Sequence, residues 1–448
     1  MTEQQKEEMK RRLLKDLARL VEVPSIQDLT TKEDQAPFGK GIRQAFDVFA
    51  DIARELGFSV HDCDGYAIHA GMGVEGPYVG VLAHLDVVEA GELSDWEYPP
   101  FQLSEKEGML YGRGVNDDKG PLLAALYAAW RIKEEGHPLR YPFRLIAGGA
   151  EETTWECMEH YFQHHKQPLY GFSPDGNFPI VNGEKGILQV CFLFPITDKL
   201  RIRCEQRLNY VCSKLSVEVP KEWDSVSFTH ASSKAHQEII YCGSKALSRN
   251  PQRGDNAIFS FVKDFITYEH EDSSLYHLLH LLQDLFLDDF YGEKSGLFHE
   301  DPDMGKTSVC PMSITCDKHV FELCVDIRYV KGVEVEALLE RLQELANRYH
   351  AQLEVLKHKR LLYVEENSPL IKALRKAYQR VMHTNADTIT KGGASYARVL
   401  DHGVAFGATF EGEDPKPHMP NECMPIASLM KACDIYYEAL MELLVEKG

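Results

Sequence analysis

The chain has 448 residues, 44% hydrophobic and 26% charged, which is the composition of a soluble globular protein and too much length for one ordinary core, so two domains are expected. Asp and Glu number 69 against 49 Lys and Arg, a formal net charge of −20, and this balance excludes nucleic acid or an anionic membrane surface as the main partner, because either needs a basic face. No apolar run is long enough to cross a bilayer, and the 11 scattered cysteines, which never form Cys-x-x-Cys, read as reduced, mostly buried thiols of a cytoplasmic protein.

The opening stretch, MTEQQKEEMKRRLLKDLARLVEVPS, spaces its leucines and valines as a helix does and is too charged for the apolar core of a signal peptide. The helix is expected to stop by Val23, because Pro24 disfavours a helical residue ahead of it. A second helix is predicted over 41–56, closed by Gly57. Residues 78–83 (YVGVLA) form a short valine-rich run, as a strand buried on both faces should, and end in His84-Leu85-Asp86.

Residues 110–121 (LYGRGVNDDKGP) are a glycine-punctuated loop that leads into an apolar helix over 121–135. A phosphate cradle is disfavoured, because Asp117 and Asp118 precede Lys119 where a Walker-type loop needs Gly-Lys-Ser/Thr. Two carboxylates there suit a divalent cation, although an Asp N-cap followed by Pro121 in the first helical turn would account for one of them. A second buried strand, 141–147, ends in Gly148-Gly149-Ala150-Glu151-Glu152, and 171–177 (GFSPDGN) places Asp175 in another loop.

Strand, helix, strand, with polar residues after each strand, predicts an α/β fold: a mostly parallel sheet flanked by helices, whose ligands bind outside the strands' carboxyl ends. His84, Asp86, Glu151 and Glu152 should therefore share one rim. From Ile187 the character changes to alternating strands (ILQVCFLF, LSVEV, EIIYC), helices over 256–290, the strand VFELCVDIRYV and a helix over 333–349. After Leu356 the α/β pattern resumes with a helix over 369–381, the glycine loop 391–395, a strand over 405–410, PKPHMPNE and a closing helix over 425–446. The expected organisation is a catalytic domain of residues 1–186 and 358–448, interrupted by an inserted α+β lid domain of residues 187–357.

Five potential metal ligands fall in loops: His84, Asp117, Glu152, Asp175 and His418. Imidazole with carboxylate suits zinc or another borderline cation, and five ligands exceed what one tetrahedral zinc needs, so two metals are expected with Asp117 as the bridge. Such a pair polarises a carbonyl and turns a bridging water into a nucleophile near neutral pH. Asp86, two residues after His84, can accept from the second ring N–H of a metal-bound imidazole. Adjacent side chains point in different directions, so Glu152 is assigned to the metal and Glu151 to the role of general base. His160 with His164, and His277 with His280, have helical ligand spacing but no third ligand in sequence, and read as surface or core histidines.

Taken in order, AHLDVV, YGRGVNDDKGP, AEE, SPDGNFP followed by GEKG, GGASYAR and HMPNE resemble the di-zinc metallopeptidase family of PepV-type dipeptidases, tripeptidase T, glutamate-releasing carboxypeptidases, desuccinylases and aminoacylases. The resemblance covers nearly the whole chain and is closest to the PepV-type branch. It implies two Zn2+, with Co2+ or Mn2+ as alternatives, one held by His84, Asp117 and Asp175 and the other by Asp117, Glu152 and His418. It further implies Glu151 as base, Asp86 as orienting acid, a cis peptide between Asp117 and Asp118, and a monomer in which one large lid replaces a partner subunit. A dimer is the alternative.

For substrate binding the resemblance implies Asn209 (in RLNYV), Arg328 (in VDIRY, facing the substrate carboxylate), Ser395 and Arg398 (both in GGASYAR). Three positions depart from the family pattern. Glu205 and Gln206 stand where glycines are expected, and Leu247 stands where the lid carries an oxyanion-donating histidine, with Arg249, Lys245 or His236 as replacement donors. The implied activity is metal-dependent hydrolysis of the amide of a dipeptide or other small peptide. The alternatives are an N-acyl-amino-acid deacylase, or a catalytically impaired homologue that keeps its metals and binds peptides.

Overall fold

The computed structural model describes residues 1–446 except 197–199, 205–207, 222–226, 236, 268–272 and 317–318; Glu205, Gln206 and His236 thus lie outside the described residues. The chain forms two compact units, Met1–Gly183 with Leu362–Ile389 and Ser395–Gly448, and Glu184–Leu361 with Thr390–Ala394. The second unit is thus slightly longer than the 187–357 insertion expected from sequence, and it takes in part of the later glycine loop.

The first unit is built on a mixed sheet with strand order Ser59–Cys63, Ala67–Met72, Phe143–Gly148, Val79–His84, Tyr170–Ser173, Gly403–Ala405, Ile180–Glu184 and Leu362–Tyr363. Its centre is parallel: Phe143–Gly148, Val79–His84, Tyr170–Ser173 and Gly403–Ala405 run in one direction. The Ser59–Cys63 hairpin adds antiparallel strands on one side, and Ile180–Glu184 pairs antiparallel on the other. Every residue of Val79–His84 is buried, which is why this strand reads as a continuous apolar run rather than an alternating one.

Local signals place the helices. Thr2 and Gln5 close a capping box at the start of Glu3–Val21, and the helix ends before Pro24. Ser368 caps Pro369–Met382, with Pro369 in its first turn. Lys119–Glu134 packs between the central strands and Ile426–Leu444, so it is apolar on nearly every side. Truncating a fully buried residue here, such as Leu126, to Ala should cost about 2–5 kcal/mol.

In the second unit an antiparallel sheet orders Ser308–Cys316, Val320–Tyr329, Gly186–Pro195 and Gln352–Lys359. Helices Ala257–Phe265, Ser274–Leu285 and Val335–Arg348 share its apolar core. A second sheet orders Arg201–Cys204, Lys214–Glu218, Glu238–Cys242 and Ser233–Ala235. Among the described residues no helix is long and apolar enough to cross a membrane.

Some elements differ from expectation. Ser308–Cys316 escapes a sequence reading because Pro311 interrupts it, and the fold accommodates that proline where the register shifts between Pro311 and Ser313. Gln352–Lys359 is a mostly exposed edge strand with little apolar pattern. The strand expected over 405–410 is only Gly403–Ala405, followed by irregular backbone with a cis Gly407–Ala408 peptide. Half of GFSPDGN is strand, Tyr170–Ser173, with Asp175 just beyond its end.

The cysteine expectation is corrected at one place. Cys191 and Cys324 face each other directly across adjacent strands and are joined by a disulfide, although 133 residues separate them in the chain. That opposition is created by strand register, so nothing in the local sequence announces it. None of the remaining described cysteines is joined in a disulfide.

Candidate metal centre

Three neighbouring parallel strands stop at one rim, and each is followed by acids or histidines. His84 is the last residue of Val79–His84 and is fully buried. Its main-chain N–H donates to Asp118 Oδ2 at 3.2 Å, its Nδ1 lies 2.9 Å from the Asp86 main-chain oxygen, and its Nε2 lies 3.0 Å from Asp117 Oδ1. A carbonyl acceptor at Nδ1 sets the ring so that Nε2 faces Asp117, which is how a ligating imidazole is oriented.

The Asp86 carboxylate does more than the orienting job expected for it. Its oxygens lie farther from the His84 ring, Oδ1 at 3.6 Å, and they accept the main-chain N–H groups of Glu151 at 3.1 Å and Glu152 at 3.0 Å. Asp86 thereby holds the turn after Phe143–Gly148 from the neighbouring strand, while its main-chain oxygen holds His84. Trp155 Nε1 secures the same turn by donating to the Glu151 carbonyl at 2.7 Å.

The Asp117 loop is organised around a residue that sequence reasoning passed over. Glu422, the last letter of HMPNE, is fully buried and accepts from the main-chain N–H groups of Gly114, Asn116 and Asp117 at 3.0, 3.0 and 3.1 Å through one oxygen. Its other oxygen pairs with Arg113 Nη1 at 2.8 Å, in a salt bridge that is itself buried. Gly114 has φ +87°, and a Cβ there would meet Lys119 Cδ at 2.9 Å, so the loop requires glycine at that point. The Asp117–Asp118 peptide is cis. Lys119 is buried and donates to the carbonyls of Leu20 and Val23, both at 2.9 Å, tying the loop to the end of the first helix; burial lowers its ammonium to about 7.

Around this loop the five expected ligands come together in two groups that share Asp117. One donor atom from each of His84, Asp117 and Asp175 lies within 4.8 Å of the others, and the same holds for Asp117, Glu152 and His418. The two Asp117 oxygens divide the work: Oδ1 faces His84, while Oδ2 lies 3.0 Å from His418 Nε2, which is also 3.0 Å from Glu152 Oε2. His418 sits in a loop with φ 61° and is about half exposed, at 53%.

The electrostatics describe a site with too much negative charge for its protein cations. Burial, reinforced by Asp175, Glu152 and Asp117, pushes Glu151 well above the usual carboxylate range, and burial raises Glu152 and Asp118 too. Burial alone would raise Asp117, but hydrogen bonds from His418 and His84 outweigh it and hold it low. Bonds from Asp117 and Glu152 push His418 up to about 11. Clustered acids of this kind are costly without a compensating cation, and imidazole with carboxylate is the donor set of zinc and its neighbours. The residues fit two divalent ions.

Tyr396, not singled out in the sequence, is buried beside the rim, with its hydroxyl 2.8 Å from Cys157 Sγ and its ring 6.1 Å edge-on from His84. Ser395 and Arg398, also buried, belong to the same turn. Neither Glu422 nor Tyr396 was recoverable from residue type, because nothing local says whether a glutamate or tyrosine will be buried; membership of the HMPNE and GGASYAR motifs was the available signal.

Asn209 and Arg328 belong to the second unit and share a network there. Gln189 Nε2 donates to Asn209 Oδ1 and Asp326 Oδ1, both at 3.0 Å, and Asp326 Oδ2 accepts from Arg328 Nε at 2.7 Å and Ser248 Oγ at 2.8 Å. Leu247 is bridged to Tyr210 and partly exposed. Lys245 Nζ lies over the Tyr210 ring at 4.1 Å, whereas Arg249 stands beside Gly392 and Gly393 and is lowered by burial and by Arg328.

Comparison with known proteins agrees with this geometry. Residues 80–442 match peptidase family M20/M25/M40. The chain is 30% identical over 459 residues to the Beta-Ala-Xaa dipeptidase of Lactobacillus delbrueckii subsp. lactis, covering 96% of each chain. In fold it is similar to aminopeptidase PepT of Bacillus cereus, with TM-score 0.62 and 14% identity over 97% of this chain and 98% of that one. It is similar also to human carnosine dipeptidase 1, with TM-score 0.58 and 16% identity over 98% and 97%. The match over most of its length, with two carboxylate–imidazole groups joined at one aspartate, makes this chain a member of peptidase family M20/M25/M40 and a metallopeptidase dependent on divalent cations.

Proposed function

We propose that this protein hydrolyses the amide bond of dipeptides, with two zinc ions held by His84, Asp117 and Asp175 and by Asp117, Glu152 and His418. The observation that carries the proposal is the division of Asp117, one carboxylate oxygen toward each group. When bound, the two cations would polarise the scissile carbonyl and acidify the attacking water.

Glu151 takes the proton from that water and returns it to the departing amine. Its acid-lined surroundings raise its affinity for the proton it carries between the two steps. Asp86 fixes the main chain at Glu151 and Glu152, so that two adjacent carboxyls serve two purposes. Arg328, steadied through Nε by Asp326, has the planar fork suited to a dipeptide's terminal carboxylate, and Asn209 is steadied by Gln189. Of the side chains able to replace the family histidine at Leu247, Arg249 has the stronger support, because it lies beside Arg328 while Lys245 is engaged on Tyr210. The dipeptide class is also that of the Lactobacillus relative.

A panel of dipeptides and N-acyl amino acids, assayed with metal analysis, tests this reading. Dipeptides should be turned over faster; faster release from N-acyl amino acids would replace the proposal with deacylation. Glu151→Gln should lower turnover by about 10²–10⁴-fold with metal content unchanged. Unchanged turnover would remove Glu151 from the role of base.

A further inference from the structure

At the antiparallel edge of the first unit's sheet, the hairpin of Ser59–Cys63 and Ala67–Met72 turns through Asp64 and Gly65, with φ 54° and 72°. The helix Glu156–His164, which begins a few residues after Glu151 and Glu152, packs on this hairpin. His160 and His164 share one helix face, with ring centroids 4.6 Å apart. In sequence this pair had no third ligand. The fold supplies one: Cys63, the last residue of the first hairpin strand, whose thiol is buried beneath the helix.

One donor atom from each of Cys63, His160 and His164 lies within 4.8 Å of the other two. A tetrahedral zinc, with Zn–S about 2.3 Å and Zn–N about 2.0–2.1 Å, asks for donors somewhat closer than that limit.

Neighbouring contacts prepare both rings. His164 Nδ1 lies 2.9 Å from the His160 main-chain oxygen, which leaves Nε2 as the outward donor. His160 Nε2 lies 3.0 Å from Asp64 Oδ2, and its ring stacks on Tyr66 at 4.1 Å. Asp62, on the other side of Cys63, is engaged by Arg43, so Asp64 is the acid turned toward the histidines.

We propose that Cys63, His160 and His164, with Asp64 orienting His160, form a third metal site that takes a single zinc-class divalent cation. Thiolate with imidazole selects zinc, cobalt or nickel over the hard cations that carboxylates alone would accept. Its place gives it a structural purpose: the ion ties the helix that follows the Glu151–Glu152 turn to the edge hairpin. Binding to the folded chain alone would add stability by mass action.

The rim set contains no sulfur ligand, which makes the two kinds of site separable by spectroscopy. Metal-free protein reloaded with Co2+ should show a thiolate-to-cobalt charge-transfer band in the near ultraviolet. Cys63→Ser should abolish the band and lower bound metal by one equivalent, with dipeptide turnover retained and the midpoint of thermal unfolding lowered. His164→Ala, at an exposed position that leaves the core intact, should also lower bound metal by one equivalent. A wild-type protein that fills its rim with cobalt and shows no such band would overturn the proposal. So would a band that persists in Cys63→Ser, or unchanged metal content in His164→Ala. The outcome is independent of whether the rim cleaves dipeptides.

Discussion

At the rim of the sheet, His84 and His418 stand among carboxylates, and both are driven toward the cationic form, His84 against the pull of its own complete burial. At the sheet's edge, His69 meets the rings of His61 and His165 at 5.1 and 5.5 Å, with Arg144 close by, and burial together with those neighbours drives it down to about 3. One residue type around one sheet is thus driven in opposite directions. Burial opposes charge in both places, and the neighbours decide the result: acids at the rim attract protons or metal ions, whereas imidazoles and a guanidinium repel them. The Cys63 group lies between these extremes, with one acid for two imidazoles.

Removing the acid shared by both rim groups should break the contrast most severely. Asp117→Asn is expected to lower bound metal by two equivalents and turnover by at least about 10³-fold, since several kcal/mol of charge stabilisation goes with the ions. Metal analysis beside a dipeptide assay reads both; loss of one ion alone would show that Asp117 is not the bridge.

Next in size is the buried pair behind the rim. Glu422→Leu leaves Arg113 charged and unpartnered at the pair and strips three main-chain N–H groups of their acceptor, so denaturant unfolding should show a loss of about 3–5 kcal/mol. A loss within about 1 kcal/mol would mean that the loop does not depend on this carboxylate.

In the second unit, Arg328→Ala should weaken the grip on the substrate carboxylate by about 1.5–3 kcal/mol, raising KM with little change in kcat. A fall in kcat at constant KM would assign Arg328 to the transition state instead. Leu247→His sharpens the same question: if Arg249 already supplies the oxyanion donor, turnover should change little, whereas a rise of about 10-fold or more would mean that the donor is missing in the natural chain.

The smallest effect belongs to the edge. His69 titrates near 6.5 when unfolded and near 3 when folded, so the unfolded chain binds the extra proton. Its contribution to stability is complete above pH 6.5 and is lost as pH falls toward 3, about 2 kcal/mol of it by pH 5. Denaturation midpoints at pH 7.5 and pH 5 should differ less in His69→Gln than in wild type; an equal difference would show that His69 does not carry this acid sensitivity.

The rim was readable in the sequence because its chemistry is written next to strong structural signals. Val79–Ala83 is an unbroken apolar run and Phe143–Gly148 is interrupted only by Arg144, and polar residues just beyond a parallel strand can hardly lie anywhere but its carboxyl end. The motifs around Asp117, Asp175 and His418 added the remaining ligands. Ser308–Cys316, broken by Pro311, and the exposed edge strand Gln352–Lys359 lacked such patterns and were missed.

By itself, then, the amino-acid order determined the α/β layout, the change of character near Ile187 and the identity of five ligand candidates, since each depends on residues close in sequence. Only the tertiary structure decided that Asp86 serves His84 through its main-chain oxygen and Glu151–Glu152 through its carboxylate, that Glu422 organises the Asp117 loop, and that Cys63 completes a pair of helical histidines. Each of these joins residues from separate elements, and which atoms meet is set by strand order, register and burial rather than by any local preference of the chain.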